Sequence, residues 1–538
     1  MTPTRVLLEL DLAQGLLDSP PADPIAAVRA RNIPVLSSVI ARLREAAASD
    51  AVVGLIAHVG PDVLTSAQVE ELGAAVEALE AAGKRTVCWT EAFGETGNGT
   101  LSYYLGAHFQ EVWLQPSGSV ALVGAAAGAT FLRGALDRLG VEPQIHARHE
   151  FKNAPDSLMR ESMTSSQREA LQRLTDSLTE QVVKTVARRR GLGEDVVRGA
   201  IADAPISPQA ALELGLVDAV GYRDEAYAAT AKALGVDLAV DDQGEGASGD
   251  EVTKRFVHKW TPPKREQARK TAKTKVRQLR SRGKGSVVAV IPVDGGIMLG
   301  RSGGSPISGP STGSDSTCAA LRLAADDEKV AAVVLRVVSP GGSYIASDAI
   351  HREVIRARES GTPVVASMGT VAASGGYFVS MAADEILALP GTITGSIGVF
   401  AGKVVTGQAL QRIGVVQESV QTGEQSTMWS ASRPFTEDQV RRLDGWLDEV
   451  YADFTQKAAD GRGMPVEQLE PLARGRVWTG ADALERGLVD RLGGLDEAIT
   501  VAAEKAGRAR ADVTPRRFPH ASPLARLRSP QHSDSPNA

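Results

Sequence analysis

The chain repeats itself once over most of its length. At an offset of 274, Thr96 falls on Thr370, Tyr103 on Tyr377, Glu111 on Glu385, Pro116 on Pro390 and Gly124 on Gly398, and residues 135–141 run ungapped onto 409–415. Further along the offset becomes 272, where residues 211–218 fall on 483–490. A period of this size means two copies of one domain rather than a solenoid of short units, and 538 residues are ample for two cores. Each copy alternates short β-branched runs with amphipathic stretches: VAAVVLRVV at 330–338, SDAIHREVIRARESG at 347–361, TPVVASMG at 362–369, DEILAL at 384–389. That rhythm predicts βαβ units, an α/β fold class with mainly parallel sheets and outer helices. The expected organisation is a first copy at 1–240, a basic linker at 241–285, a second copy at 286–508 and a disordered tail at 509–538, rich in Pro, Ser and Arg.

Charge and composition narrow the partners. The whole chain carries −6, so it does not read as a polyanion binder, and aromatics at 4% argue against stacking on single-stranded nucleic acid. No nucleic-acid partner is expected. Residues 254–284 are different: 13 Lys/Arg and a single acid give this segment +12 against −18 for the remainder. With Phe256 and Trp260 beside Pro262-Pro263, its chemistry suits peripheral contact with an anionic membrane surface; a solvated charged segment without a ligand is the plainer alternative. Cys88 and Cys318 have no CxxC partner, no HExxH is present, and His146/His149 lack a third ligand at a standard spacing, so neither metal nor cofactor is expected. No apolar run reaches the ~18 residues of a spanning helix, and Glu9 and Asp11 break the N-terminal apolar stretch. The expected location is cytoplasmic, with membrane association through the linker as the open variant.

Two glycine-rich turns in the second copy carry the candidate chemistry. In Ser339-Pro340-Gly341-Gly342-Ser343, paired glycines between a strand and a helix let backbone N–H groups point into open space, as an oxyanion hole requires; a tight βα turn without a ligand would use the same residues. In Ala372-Ala373-Ser374-Gly375-Gly376-Tyr377, a serine among small residues has an accessible hydroxyl, and close helix packing would account for the small residues equally well. Ser374 needs a base. Of the eight histidines only His351 falls within the ordered part of the second copy, where a surface position is expected, so a Ser-His-Asp triad is hard to build. A Ser-Lys dyad remains, in which a desolvated lysine takes the serine proton.

The blocks RVVSPGGSYIASDAI, MGTVAASGGYFVSMAADEILALPGTITGSIGVF and RVWTGADALERGLVD closely resemble the signal peptide peptidase A (protease IV) family in its double-length form. The resemblance implies a tandem Clp-protease/crotonase-like fold and a serine endopeptidase acting on cleaved signal peptides and other short hydrophobic peptides. It makes Ser374 the nucleophile, takes the base from the first copy at Arg148-His149-Glu150-Phe151-Lys152-Asn153-Ala154, hence Lys152, and gives Ser396 of TGSIG the task of orienting the lysine. Gly342 and Gly375 become the oxyanion donors, with Gly341 as the neighbouring alternative. It also implies a homo-oligomer, a tetramer being favoured. The repeat map is compatible with a composite site: Ser374 falls on Thr100, Gly375 on Leu101, Ser396 on Leu122 and Lys152 on Ser426, so each copy lacks what the other keeps. Lys403, the nearest rival base, falls on Ala129. Other readings of the fold are a crotonase-type acyl-CoA hydratase or isomerase, whose carboxylate acid/base nothing here singles out, and a non-catalytic scaffold.

Overall fold

The Val-rich runs become strands buried on both faces: Val330–Ser339 is buried at every position except Val338, as a central parallel strand must be. The computed structural model describes residues 5–19, 30, 32–60, 64–238, 251–268, 285–305 and 309–519. The first sheet runs, in spatial order, Ala219–Val220, Glu111–Leu114, Arg85–Thr90, Val52–His58, Arg5–Asp11, Glu251–Phe256 and Asp237–Leu238, all neighbours parallel. The second runs Val477–Thr479, Ile393–Gly395, Val364–Ala373, Val330–Ser339, Val287–Asp294 and Thr514–Arg517, parallel except at Val477–Thr479, with Glu385–Ala388 also on Val364–Ala373. Helices Ser314–Asp326 and Tyr344–Glu359 bury apolar residues on one side of the second sheet, and Leu495–Lys505 packs on the other. The expected tandem α/β architecture with mainly parallel sheets is present.

The repeat holds at the level of single hydrogen bonds. The buried Tyr103 hydroxyl donates to Leu216 O at 2.7 Å, and its counterpart Tyr377 donates to Leu488 O at 2.9 Å. Asp218 accepts from Val112 N at 2.7 Å and Asp490 from Ile386 N at 2.8 Å.

The copies are not separate bodies joined by a tether. Phe400–Val405 of the second pairs antiparallel with Glu142–Ala147 of the first, Phe400 opposite Ala147 and Val405 opposite Glu142. Ser165–Arg190 of the first copy lies on Val477–Thr479 of the second, where the Arg173 guanidinium grips the buried Asp482 carboxylate.

Three expectations change. Part of the range expected as basic linker is first-copy structure: Glu251–Phe256 pairs with Arg5–Asp11, and Val257 and Trp260 are buried in the first core. Trp260 is thus unavailable to a membrane surface; residues 269–284 lie outside the described residues. The range expected as disordered tail begins with a strand, Thr514–Arg517, at the edge of the second sheet. His351 is buried rather than on the surface, with its ring 5.3 Å from that of Phe378.

Candidate active site

Strand Val364–Ala373 ends in a sharp turn at Ser374, whose φ of 54° and ψ of −117° are unusual for a residue with a side chain. Such a backbone costs on the order of 1–3 kcal/mol and persists only where the surroundings impose it. They do so here. Ser374 N donates to Gly395 O at 2.9 Å, and the next turn of chain is pressed against Val330–Ser339: a Cβ on Gly376 would lie 2.5 Å from Ser339 O. The small residues of AASGG therefore serve packing, and by that packing hold the Ser374 hydroxyl out at the end of the strand.

The lysine arrives from the other copy. Beyond Glu142–Ala147 the chain turns through His149, at φ 65°, and sends Lys152 inward, 5% exposed. Its Nζ lies 3.1 Å from Ser374 Oγ, 3.0 Å from Ser396 Oγ and 3.0 Å from Ser396 O. Burial alone, with no carboxylate to offset it, lowers the Lys152 pKa from 10.5 to about 7. A neutral amine has two N–H donors and one lone pair, and three neighbours suit it: it can donate to both Ser396 oxygens and accept from the Ser374 hydroxyl. Strand pairing between the copies thus brings Lys152, Ser374 and Ser396 together within one chain.

The turn Gly341-Gly342 lies beside them. Gly341 has φ 100° and Gly342 φ 153°. A Cβ on Gly375 would lie 3.2 Å from Gly342 N, so the two amides sit close together. Among the described residues neither Gly342 N nor Gly375 N donates a backbone hydrogen bond, whereas Gly341 N donates to Ser339 Oγ at 3.1 Å. Gly342 rather than Gly341 therefore has the unengaged donor. Ser343 N donates to Ile297 O and Ile297 N to Gly341 O, which fix the turn against Gly296–Met298.

Lys403 is elsewhere: its Nζ donates to Met428 O at 2.7 Å and stands over the Phe435 ring. Sequence reasoning missed the walls of the lysine's pocket. A Cβ on Gly475, at φ 79°, would lie 2.6 Å from Lys152 Cβ, and one on Gly398 would lie 3.3 Å from Lys152 Cδ. Ser396 N donates to Arg476 O at 2.7 Å, so the same loop seats both Ser396 and Lys152. The one signal available was the position of Gly475 immediately before RVWTG.

A half-buried serine against a buried amine, beside two free amides, is equipped for acyl transfer. The sequence matches the profile of Peptidase family S49 over residues 78–237 and 356–508. It is 31% identical over 465 residues to "Serine protease SPPA, chloroplastic" of Arabidopsis thaliana, covering 86% of this chain and 64% of that one. It is 32% identical over 412 residues to "Protease 4" of Salmonella typhi, covering 75% of this chain and 62% of that one, so the matches span somewhat less than two thirds of these relatives. Among solved structures, a mutant ClpP1 from Listeria monocytogenes aligns with a TM-score of 0.25 at 13% identity, covering 39% of this chain and 94% of that one. The profile accounts for more than half of the residues in two blocks that fall one in each copy, and on that ground this chain belongs to Peptidase family S49.

Proposed function

We propose that the protein is a serine endopeptidase with a Ser-Lys dyad shared between its two copies. The single observation that carries this reading is the 3.1 Å contact between Lys152 Nζ and Ser374 Oγ, made by an amine that burial holds near neutrality. Lys152 takes the hydroxyl proton as Ser374 Oγ attacks the peptide carbonyl carbon. The resulting oxyanion lies against Gly342 N–H and Gly375 N–H. The protonated amine returns its proton to the leaving nitrogen as the C–N bond breaks, leaving an acyl-Ser374 ester. Water, deprotonated by the same amine, hydrolyses the ester and restores the serine. Ser396 holds the amine on its line of approach. Short hydrophobic peptides, cleaved signal peptides among them, are the proposed substrates, bound extended beside the Gly341-Gly342 turn, near which Met298, Leu299 and Ile345 expose apolar side chains.

The names borne by the relatives support a protease, and the geometry supports this dyad in particular. The test is hydrolysis of a quenched fluorescent apolar peptide by wild type, Ser374→Ala and Lys152→Ala. Loss of activity by orders of magnitude in both, with folding intact, is expected because the two act as a unit. Full activity in Lys152→Ala would give the serine another base and end the composite reading. No helix among the described residues is long and apolar enough to cross a membrane.

A further inference from the structure

The loop that seats Lys152 runs through two successive residues of positive φ, Arg474 at 51° and Gly475 at 79°. For Arg474, which has a side chain, that conformation is uncommon and persists only where neighbours hold it. Gly475 N donates to Ile397 O at 2.7 Å and Arg476 N to Ala473 O at 2.8 Å, while Arg476 O accepts from Ser396 N. A shift of this loop would therefore move the Ser396 backbone and the Gly475 wall against Lys152 together. Arg474 itself pairs with Glu150 and Glu470, but all three side chains are well exposed, and such pairs hold a backbone weakly.

The firmer hold is the Arg476 side chain. Its guanidinium carbon stands 4.7 Å from the centre of the Phe151 ring and 4.4 Å from that of Trp478. Trp478 is fixed in turn: it is buried, its Nε1 donates to Leu472 O at 2.9 Å, and the Arg486 guanidinium stands over its ring at 4.1 Å. Phe151 immediately precedes Lys152, so the stack joins second-copy strand Val477–Thr479 to the first-copy segment that carries the amine. Arg476 also pairs with Glu169 of first-copy helix Ser165–Arg190 at 2.7 Å, but the Glu169 side chain is more than half exposed. Among the described residues the buried Arg476 Nε has no hydrogen-bond acceptor, so the rings hold the guanidinium plane at that edge.

We infer that Arg476 is a positioning residue for the base: stacked on Phe151 and Trp478, it locks the Lys152 amine and Ser396 into one arrangement across the two copies. The inference rests on the reading of Lys152 as the base of the proposed dyad. Arginine suits the task because its guanidinium is flat and keeps its charge across the range in which Lys152 titrates. A lysine at 476 would keep the charge but has no plane to lay on the rings. Loosening the stack frees Phe151, lets water reach the amine and so raises its affinity for protons.

Arg476→Lys and Phe151→Leu test it, with Glu169→Gln as the control that removes only the exposed pair. Both stack variants should lose about 10²-fold in kcat with KM little changed. The pH at which kcat/KM levels off should rise in both by about one unit, whereas Glu169→Gln should stay within about threefold of wild type. A merely structural role would lower the thermal midpoint and leave that pH in place. The amine can also be titrated without using activity, by competitive acetylation of Lys152 with acetic anhydride, read by mass spectrometry in the Ser374→Ala background. Its midpoint should rise when Arg476→Lys is added to Ser374→Ala. An unmoved midpoint overturns the inference, whatever the loss of rate, and so does a loss in Glu169→Gln as large as that in Arg476→Lys. A midpoint that rises while the kcat/KM profile stays in place would uphold the seat for the amine and overturn instead the reading of Lys152 as the base.

Discussion

At Lys152 the same burial that makes the amine useful makes it costly. Its pKa of about 7 lies below the 10.5 of an exposed lysine, so the folded protein binds fewer protons than the unfolded chain between those values, and stability rises with pH across that window. The penalty is complete below about pH 7, where it amounts to on the order of 4–5 kcal/mol, and it fades towards pH 10.5. Lys152→Met should therefore raise the thermal midpoint, more at pH 6 than at pH 9, while abolishing activity; scanning calorimetry at the two pH values checks the sign, and a gain that grows with pH would contradict it. Catalysis runs in the same direction. In the proposed mechanism the attacking form needs a neutral amine, so kcat/KM should fall about tenfold per unit below pH 7 and level off above it. Ser396→Ala removes one of the amine's three neighbours and leaves the carbonyl of residue 396 in place. Loss of one hydrogen bond of this kind should lower kcat by about 10- to 100-fold, short of the loss in Ser374→Ala, as steady-state kinetics on one peptide would show.

Among the elements, the cross-copy strand pair decides whether Lys152 and Ser374, the proposed base and nucleophile, meet. Gly402 sits where a side chain would strike Gln144 O at 2.1 Å. Gly402→Val should force Phe400–Val405 off its partner, and a displacement of ~1 Å at the amine can cost about 10²-fold in rate. The two main sheets do not use this pair, so far-UV circular dichroism should be nearly unchanged; a variant with native kcat would show that the strand pair does not set the base. This dependence was half legible in the sequence. The Val-rich strands, the turns at Gly341 and Ser374 and the division of Ser374 and Lys152 between copies follow from period, turn chemistry, resemblance and the repeat. Strand Glu251–Phe256 was hidden because Lys254 and Arg255 dominate its composition, and its partner Arg5–Asp11 lies at the far end of the copy. The apolar anchors Val252, Val257 and Trp260 look like incidental residues in a charged run until the fold buries them. Gly475 escaped for another reason: one glycine before a motif does not announce that it faces a lysine more than three hundred residues earlier.

A site divided between two copies obliges the whole molecule to keep them in fixed relation, and a buried ion pair lies along that junction. Glu71, on first-copy helix Ser66–Ala81, reaches Arg336 of the second sheet and the start of helix Leu495–Lys505. Its Oε2 accepts from Arg336 Nη2 at 2.7 Å and its Oε1 from Leu495 N at 2.6 Å, while Arg336 Nη1 donates to Ser367 Oγ at 3.0 Å. Both side chains are almost wholly buried. Arg336 lies on the strand that leads to the Gly341-Gly342 turn and Ser367 on the strand that leads to Ser374, so this carboxylate ties the first copy to both strands that carry the proposed site. Glu71→Ala would leave a guanidinium and an N–H group buried without their acceptor, and should destabilise the protein by about 3–5 kcal/mol in urea unfolding. The double variant Glu71→Leu, Arg336→Met removes both charges at similar volume and should recover most of that loss. Comparing the two separates the cost of a stranded charge from the worth of the contact. If the double variant recovers stability but not activity, the ion pair sets the relation between the copies on which the Lys152–Ser374 distance depends. If it recovers both, apolar packing across the junction is enough to hold that distance.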